Sequence, residues 1–229
     1  MWEKAFAYLH QSGDKARLAY ASQEAIDFYT QAIAVSDRIT PTPDAAQLLP
    51  VYEGRGLVWM LLTNYEAAIA DFQRMRQLAR ASGSLQKEGE GLSHLAYVHW
   101  LAFSEAHAPL VEEHAQEALQ LAHQTGDQKI LASSLISLGS VDHARGNLSE
   151  AERKFTKALQ ISRRQGYQDS LAHALVFRCM VAYERRKFQA ATQLGQEGVV
   201  ISRAIHDGFT ELRTLAFLGQ ACWSAGQYA

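Results

Sequence analysis

Histidine and cysteine are two of the residue types that could bind a metal or act in catalysis, and their spacing is informative. The chain has nine histidines and two cysteines among 229 residues. No His-x3-His pair occurs, although His107 and His114 are two helical turns apart, and Pro109 makes His107 a turn or cap residue. Cys179 and Cys222 lie in apolar segments without a second ligand nearby. We therefore predict no metal site and no cofactor.

The short motifs that position catalytic groups are also missing from the sequence. It contains no Gly-x4-Gly-Lys-Ser/Thr phosphate loop, no Gly-x-Ser-x-Gly nucleophile turn and no His-Glu-x2-His helix. The run Glu112, Glu113 and His114 is typical of a solvated helix face. We predict that the chain is not an enzyme.

Charge and hydropathy exclude two further classes of protein. The 22 basic and 24 acidic residues nearly cancel, which gives no support for a surface that follows a nucleic-acid backbone. No apolar run approaches the roughly 18 residues of a membrane span, and Met1-Trp2-Glu3-Lys4 does not open a secretory signal. The prediction is a cytoplasmic protein that binds neither nucleic acid nor membrane.

The helices that position these side chains are indicated by a repeated sequence pattern. Its form is a small apolar residue, an aromatic four residues later and a second small residue three further on. The steps between successive copies are 43, 43, 40 and 40 residues. The five copies, some of them altered, are Ala25/Tyr29/Ala32, Ala68/Phe72/Met75, Val111/Ala115/Ala118, Ala151/Phe155/Ala158 and Ala191/Gly195/Gly198. Each copy has the 3.6-residue spacing of a helix.

A second helical pattern precedes each copy, so that each repeat consists of a first helix and a second helix. Its core is Leu-x3-Gly, as in Leu135/Gly139, with variants such as Leu175/Cys179. Glycine inside a helix costs about 0.5–1 kcal/mol relative to alanine, so recurrence at one position indicates a packing role. We expect each glycine to admit the aromatic ring of the second helix. The predicted helices are 2–18, 23–38, 45–62, 66–81, 85–104, 109–124, 128–145, 149–164, 169–185, 189–204 and 208–225.

Paired helices with these sequence patterns resemble the tetratricopeptide repeat (TPR) family, whose pattern includes Leu-Gly-x2-Tyr followed by Ala-x3-Phe. The resemblance implies an all-α, right-handed superhelical solenoid of about five and a half repeats, forming one domain over residues 1–229. The repeats would span 2–40, 44–82, 85–125, 128–166, 169–206 and an incomplete 208–229. The sequence departs from the family in its 40–43-residue period and in leucine where tryptophan is usual. Residues 13–33 are similar to the first repeat after the ATPase module of bacterial signal-transducing (STAND-type) ATPase regulators.

The last predicted helix carries an apolar face that a terminal capping helix would lack. It is followed by Gly226-Gln227-Tyr228, which has the pattern of the turns that precede the second helices of earlier repeats. We expect a fragment of a larger protein, cut inside a sixth repeat, and self-association through the uncapped helix is one consequence. The alternative is that the natural protein ends here and the last helix is its own cap.

In the family, the first helices line the concave face, so the resemblance points to particular side chains as a binding groove. The candidate binding residues are Met60, Trp100, Phe103, His143, Met180, Tyr183 and Trp223. Methionine and aromatic side chains suit an apolar peptide or amphipathic helix. The alternative is that they enlarge the core. The family's carboxylate clamp of Lys, Asn and Arg is not present.

Two functions remain open from the sequence. The first is a non-catalytic scaffold that binds a protein or peptide segment in the groove, as part of a larger bacterial regulator. The alternative is a small-ligand sensor that relays binding to an attached ATPase, cyclase or DNA-binding module. Converging hydrogen-bonding groups around His143 and Tyr183 would favour a metabolite, whereas an open apolar channel favours a peptide. A basic stripe on one second helix, including Arg153, Lys154 and Arg163, is either solvated or faces an acidic partner.

Overall fold

Eleven α-helices and no strand make up the part of the chain that the computed structural model describes, residues 1–102, 107–205 and 207–226. The helices are α1 (Trp2–Leu18), α2 (Ser22–Ser36), α3 (Ala45–Leu61), α4 (Tyr65–Ala81), α5 (Leu85–Leu101), α6 (Ala108–Thr125), α7 (Gln128–Ala144), α8 (Leu148–Gln165), α9 (Gln168–Glu184), α10 (Phe188–Ala204) and α11 (Gly208–Ser224). The all-α prediction is confirmed, and most helix ends lie within one residue of those predicted.

The chain forms two compact units, Met1–Leu110 and Val111–Ala229. Within unit 1, each helix from α1 to α4 packs against the next, and the first helices α1 and α3 also touch. Within unit 2, the order α7, α8, α9, α10, α11 shows the same arrangement, with α9 contacting both α7 and α11. In each unit the hairpins therefore bury their apolar faces against neighbours in sequence, which is how helical repeats are stabilised.

Because of Pro50, the sequence alone leaves open whether the third helix begins near Ala45 or near Leu49, and the structure decides this. Asp44 accepts a hydrogen bond from the backbone N–H of Gln47, and the Gln47 side chain accepts one from the N–H of Asp44, which forms a capping box. The helix therefore begins at Ala45, and Pro50 lies inside it. Because proline has no N–H, the carbonyl of Ala46 has no backbone partner from residue 50.

Glycines of three first helices face aromatic rings, as the repeat pattern predicts. A Cβ atom added to Gly13, Gly56 or Gly139 would lie 2.7, 2.6 and 2.6 Å from the nearest ring carbon. The rings belong to Tyr29, Phe72 and Phe155, all with no exposed surface. Any side chain at these glycines would overlap the ring, so the close approach of the two helices requires glycine.

The turn between first and second helices places one residue in the left-handed region. Gly146 has φ 78° there, whereas Thr63 occupies the corresponding turn at φ 58°. For a β-branched residue this conformation is strained by about 1–2 kcal/mol. Replacing Thr63 by glycine should raise the free energy of unfolding by about 0.5–1 kcal/mol in urea denaturation, after the entropic cost of glycine in the unfolded chain is deducted. The reverse change, Gly146→Thr, is the control and should lower it; a loss of stability in Thr63→Gly would contradict the argument.

Candidate functional site

In unit 1, the candidate groove residues Met60 and Trp100 lie at the carboxyl ends of two first helices. Met60 ends α3 half-buried against the core cluster that includes Phe72. Trp100, near the end of α5, is half-buried, and its ring stacks on Tyr97 with centroids 6.0 Å apart and planes 11° apart. Both side chains keep part of their surface open, which a binding role requires.

The first helices α3 and α5 are joined by a polar contact that the sequence analysis did not identify. His94 Nε2 lies 3.2 Å from the Oε1 atom of Glu53. The imidazole also stacks on Phe72, with ring centroids 4.8 Å apart. This arrangement fixes a partly exposed carboxylate on the first-helix surface of unit 1.

In unit 2, His143 of α7 and Glu184 of α9 form a similar contact, which lies at the carboxyl ends of these first helices. His143 Nε2 lies 2.8 and 2.9 Å from the two carboxylate oxygens of Glu184. The side chains are 25% and 35% exposed, so the pair is open to a ligand. His143 therefore links two first helices and does not point alone into a pocket.

The neighbouring candidates in unit 2 are more deeply packed. Met180 is 8% exposed, which agrees with the core interpretation of this residue. Tyr183 is half-buried, and its ring lies 5.9 Å from that of Phe188, which begins the second helix. The groove prediction for these two residues stays a prediction, with Tyr183 keeping the larger open surface.

The remaining two candidates are Trp223 and Phe103. Trp223, near the end of α11, is 72% exposed. Phe103 lies outside the described residues. The structure thus joins His143 to Glu184 on the carboxyl-terminal turns of α7 and α9, Tyr183 directly precedes Glu184 in the chain, and Trp223 lies on the next first helix.

A third contact between first helices pairs His173 of α9 with Asp207, the N-cap of α11, at 3.6 Å. Burial alone would raise the pKa of Asp207, but hydrogen bonds from His173 and Thr210 and the charge of His173 lower it to about 2. Two of these three contacts between first helices join residues 41 positions apart, close to the repeat length. That spacing is the signal in the sequence from which these pairs could have been found.

The basic stripe on α8 is largely neutralised by acidic neighbours. Arg153 pairs with Glu150, Lys154 with Asp142, and Arg163 with Glu197. Glu152 receives Arg178 at 2.7 Å and Arg185 at 3.0 Å. Burial would raise the pKa of Glu152, but the hydrogen bond from Arg178 and the charges nearby lower it overall. These pairings favour a structural and solvated role for the stripe.

Residues 1–102, 107–205 and 207–226 contain no group of three or more His, Cys, Asp or Glu side chains placed to hold a metal ion. In the same ranges, no helix has the length and apolar character needed to cross a bilayer. A pocket of about 380 Å³ lies on α10, lined by Gln189, Thr192, Gln193 and Gln196.

Comparison with known proteins finds a sequence match between part of this chain and a curated protein. No family model matches the chain. It is 30% identical over 100 residues to response regulator aspartate phosphatase A of Bacillus subtilis (strain 168), which covers 43% of this chain. The match spans 26% of the phosphatase, so about a quarter of that protein's length is represented.

Solved structures resemble the chain over most of its length. A Rap protein complexed with competence and sporulation factor matches with TM-score 0.74 and 14% identity, covering 95% of this chain and 62% of that one. NprR in complex with its cognate peptide NprX matches with TM-score 0.70 and 14% identity, covering 100% of this chain and 62% of NprR. A STAND protein with a tetratricopeptide repeat sensor from Pyrococcus horikoshii matches with TM-score 0.59 and 12% identity. That match covers 89% of this chain and 31% of the STAND protein. The chain therefore has the TPR-like helical fold that these proteins share.

Proposed function

We propose that this chain is a non-catalytic scaffold that binds a peptide or protein segment along its first helices. The observation that carries the proposal is the likeness to two proteins solved with bound peptides, a Rap protein and NprR. The alignments cover 95% and 100% of this chain, so the likeness is not limited to one hairpin. Because these proteins share their fold with this chain, we take a shared mode of peptide binding as the leading hypothesis. The side chains of this chain must then support it.

The candidate side chains have the chemistry that peptide recognition needs. Trp100, Met60 and Tyr183 offer aromatic and thioether surface, which adapts to apolar side chains. The partly exposed Glu184 carboxylate, held in place by His143, can accept hydrogen bonds from backbone N–H groups of a peptide. Held acceptors beside apolar surface are typical of grooves that bind extended segments.

The small-ligand alternative receives less support from the geometry. It required converging hydrogen-bonding groups around His143 and Tyr183 in an enclosed pocket. His143 is hydrogen-bonded to Glu184, and the Tyr183 ring packs beside Phe188. This arrangement favours a peptide over a metabolite.

The biological setting is proposed from the same comparisons. The phosphatase of Bacillus subtilis is matched over 26% of its length, so its activity is a property of that protein, and we propose that the present segment does not catalyse a reaction. Similarity of residues 13–33 to STAND-type regulators and the likeness to a STAND sensor favour a place in a larger cytoplasmic bacterial regulator. Its partners would be proteins or peptides, with no direct contact to nucleic acid or membrane.

The proposal is tested with peptides selected from a random phage-displayed library against the folded chain. We expect Trp100→Ala to weaken peptides that bind the first helices of unit 1, and His143→Ala to weaken peptides that bind the first helices of unit 2, each at least about tenfold, equal to about 1.4 kcal/mol, in fluorescence anisotropy. Either substitution removes part of the first-helix surface, in unit 1 and unit 2 respectively. Failure to select any peptide, or full affinity in both variants, would reject the proposed site.

Lys157→Ala is the matched control, because Lys157 is exposed on the second helix α8. It should leave peptide affinity unchanged. Thermal unfolding of all three variants distinguishes the loss of a peptide contact from the loss of the fold. A sharp fall in the melting temperature of Trp100→Ala would show that Trp100 is a core residue and not a binding residue.

A further inference from the structure

Two ion pairs in unit 2 join a second helix to the turn that follows the next first helix. Glu112 of α6 accepts hydrogen bonds from Arg145, the C-cap of α7, at 3.1 and 2.5 Å. Forty positions later, Glu152 of α8 pairs with Arg185, the C-cap of α9, at 3.0 Å. At the first of these junctions Arg145 is the cation in ion-pair contact with the carboxylate among the described residues. One arginine is therefore enough to join the helices.

The second junction contains two cations that the first lacks. Arg178 donates from Nη1 to Oε1 of Glu152 at 2.7 Å, and Nζ of Lys187 lies 3.8 Å from the same oxygen. The residues 40 positions before Arg178 and Lys187 are the uncharged Leu138 and Asn147. Three cations thus share one carboxylate at this junction, which leaves a surplus of two positive charges there.

The surplus is local to this junction. The carboxylates on the adjoining turns have partners of their own: Asp142 with Lys154, Glu150 with Arg153 and Glu184 with His143. The chain as a whole has a formal net charge of −2, so the surplus does not follow from a generally basic composition. A positive patch on a net negative chain attracts an anionic partner to one place.

The side chains of Arg178, Arg185 and Lys187 around Glu152, which we name the Glu152 cluster, are accessible to such a partner. They are 17%, 28% and 55% exposed, respectively. Arg185 is also held by a hydrogen bond from Nη2 to the hydroxyl of Ser149 at 2.7 Å. Because both arginines are already fixed by contacts within the chain, a partner that pairs with them costs little further side-chain entropy.

The position of Glu152 decides which kind of anion fits the cluster. The three cations converge on its carboxylate, so a single phosphate group placed at that point would lie against a negative charge. A segment with several carboxylates can instead pair with the exposed part of each cation separately. The cluster therefore suits several spaced negative charges better than one concentrated charge.

We propose that the Glu152 cluster is a binding surface for an acidic segment of a partner protein, rich in aspartate and glutamate. Carboxylates of that segment pair with Lys187 and with the exposed parts of Arg178 and Arg185, and they compete with Glu152 for these cations. This surface lies on the turns of α8, α9 and α10, and the proposal does not rest on peptide binding along the first helices.

The probe for this surface is a fluorescein-labelled hexaglutamate peptide, with hexaglutamine as its uncharged counterpart. We expect hexaglutamate to bind the intact chain in anisotropy titrations, and hexaglutamine to bind at least about tenfold more weakly. Raising NaCl from about 20 to about 200 mM should weaken hexaglutamate binding at least about tenfold, because the paired charges are partly exposed.

Substitutions that restore the sequence of the first junction locate the surface. The double variant Arg178→Leu/Lys187→Asn should stay folded by circular dichroism and bind hexaglutamate at least about tenfold more weakly. If the double variant unfolds, Lys187→Asn alone should still weaken binding about threefold, since Lys187 is mostly exposed. Glu152→Gln should strengthen binding at least about twofold, because it removes the competing carboxylate. A purely structural cluster gives no reason for that gain.

Lys129→Gln is the matched control for loss of one positive charge, because Lys129 is exposed at the amino end of α7. It should leave hexaglutamate binding unchanged, and so should Trp100→Ala, which tests the first-helix groove separately. Full affinity in the Lys187 variants, or an equal loss in Lys129→Gln, would overturn the proposal. Displacement of hexaglutamate by inorganic phosphate at constant ionic strength would assign a phosphate site instead and would also overturn it.

Discussion

Replacing Arg55 by methionine is expected to lower the free energy of unfolding by about 3–5 kcal/mol, because it leaves a buried carboxylate without its cation. Arg55 donates from Nε to Oδ2 of Asp71 at 2.9 Å and from Nη2 to Oδ1 at 2.7 Å. The Asp71 side chain is 5% exposed. Arg55 also donates to the Thr30 hydroxyl at 3.0 Å, so one guanidinium joins α2, α3 and α4. Urea denaturation at neutral pH measures the loss.

The pH dependence of this variant follows from the pKa of Asp71. Burial raises the pKa above its ordinary value, and the hydrogen bond and charge of Arg55 oppose that rise without cancelling it. A raised pKa in the folded state means that Asp71 contributes stability below its unfolded pKa, and that this contribution is lost as pH rises through the folded pKa. Without Arg55 the pKa should rise further. The deficit of Arg55→Met should therefore shrink as the pH is lowered from 7 toward about 4.

Two controls separate the buried pair from charge removal in general. The double variant Arg55→Met/Asp71→Leu removes both charges and should recover most of the loss. Arg153→Met breaks a pair with Glu150 whose side chains are 65% and 53% exposed, and should cost less than about 1 kcal/mol. If Arg55→Met costs no more than Arg153→Met, the Asp71 carboxylate is not confined as the structure indicates.

The helices and the glycine–aromatic contacts could be predicted because their signals are local and repeated. Gly139 and Phe155 are 16 residues apart within one hairpin, and the same spacing recurs in Gly13/Tyr29 and Gly56/Phe72. A short turn between two helices of fixed length brings such residues together whatever the rest of the chain does. The period of the apolar pattern was therefore sufficient to predict the fold class and these glycine–aromatic contacts of the core.

The polar contacts of the candidate site depend on how one hairpin rests on the next, and a single sequence gives little information on that. His143 was identified from its position on α7, but its partner Glu184 belongs to another hairpin. The burial of Met180 has a similar cause. The helix α9 is covered by α7, α8, α10 and α11, so Met180 is buried there. Gln220, the equivalent residue 40 positions later on α11, is exposed.

Replacing Phe155 by alanine is expected to lower the free energy of unfolding by about 3–5 kcal/mol. The ring has no exposed surface, lies over Gly139 and stacks on Phe177 with centroids 4.9 Å apart and planes 11° apart. Because Gly139 has no side chain, truncation leaves a cavity that its neighbour cannot fill. Thermal or urea denaturation of the single variant gives the cost, and a loss below about 1 kcal/mol would show that the helices close the gap.

A size exchange tests whether the glycine–aromatic relation itself holds the hairpin together. Gly139→Leu alone should be strongly destabilising, since even a Cβ would lie 2.6 Å from the Phe155 ring. In the double variant Gly139→Leu/Phe155→Ala, the new side chain occupies the space of the lost ring, and the combined loss should be smaller than the sum of the two single losses. The Cys179–Gly195 contact already shows the larger residue on the first helix and the glycine on the second. Additive losses would mean that the ring is needed for its stacking on Phe177 and not for filling the gap.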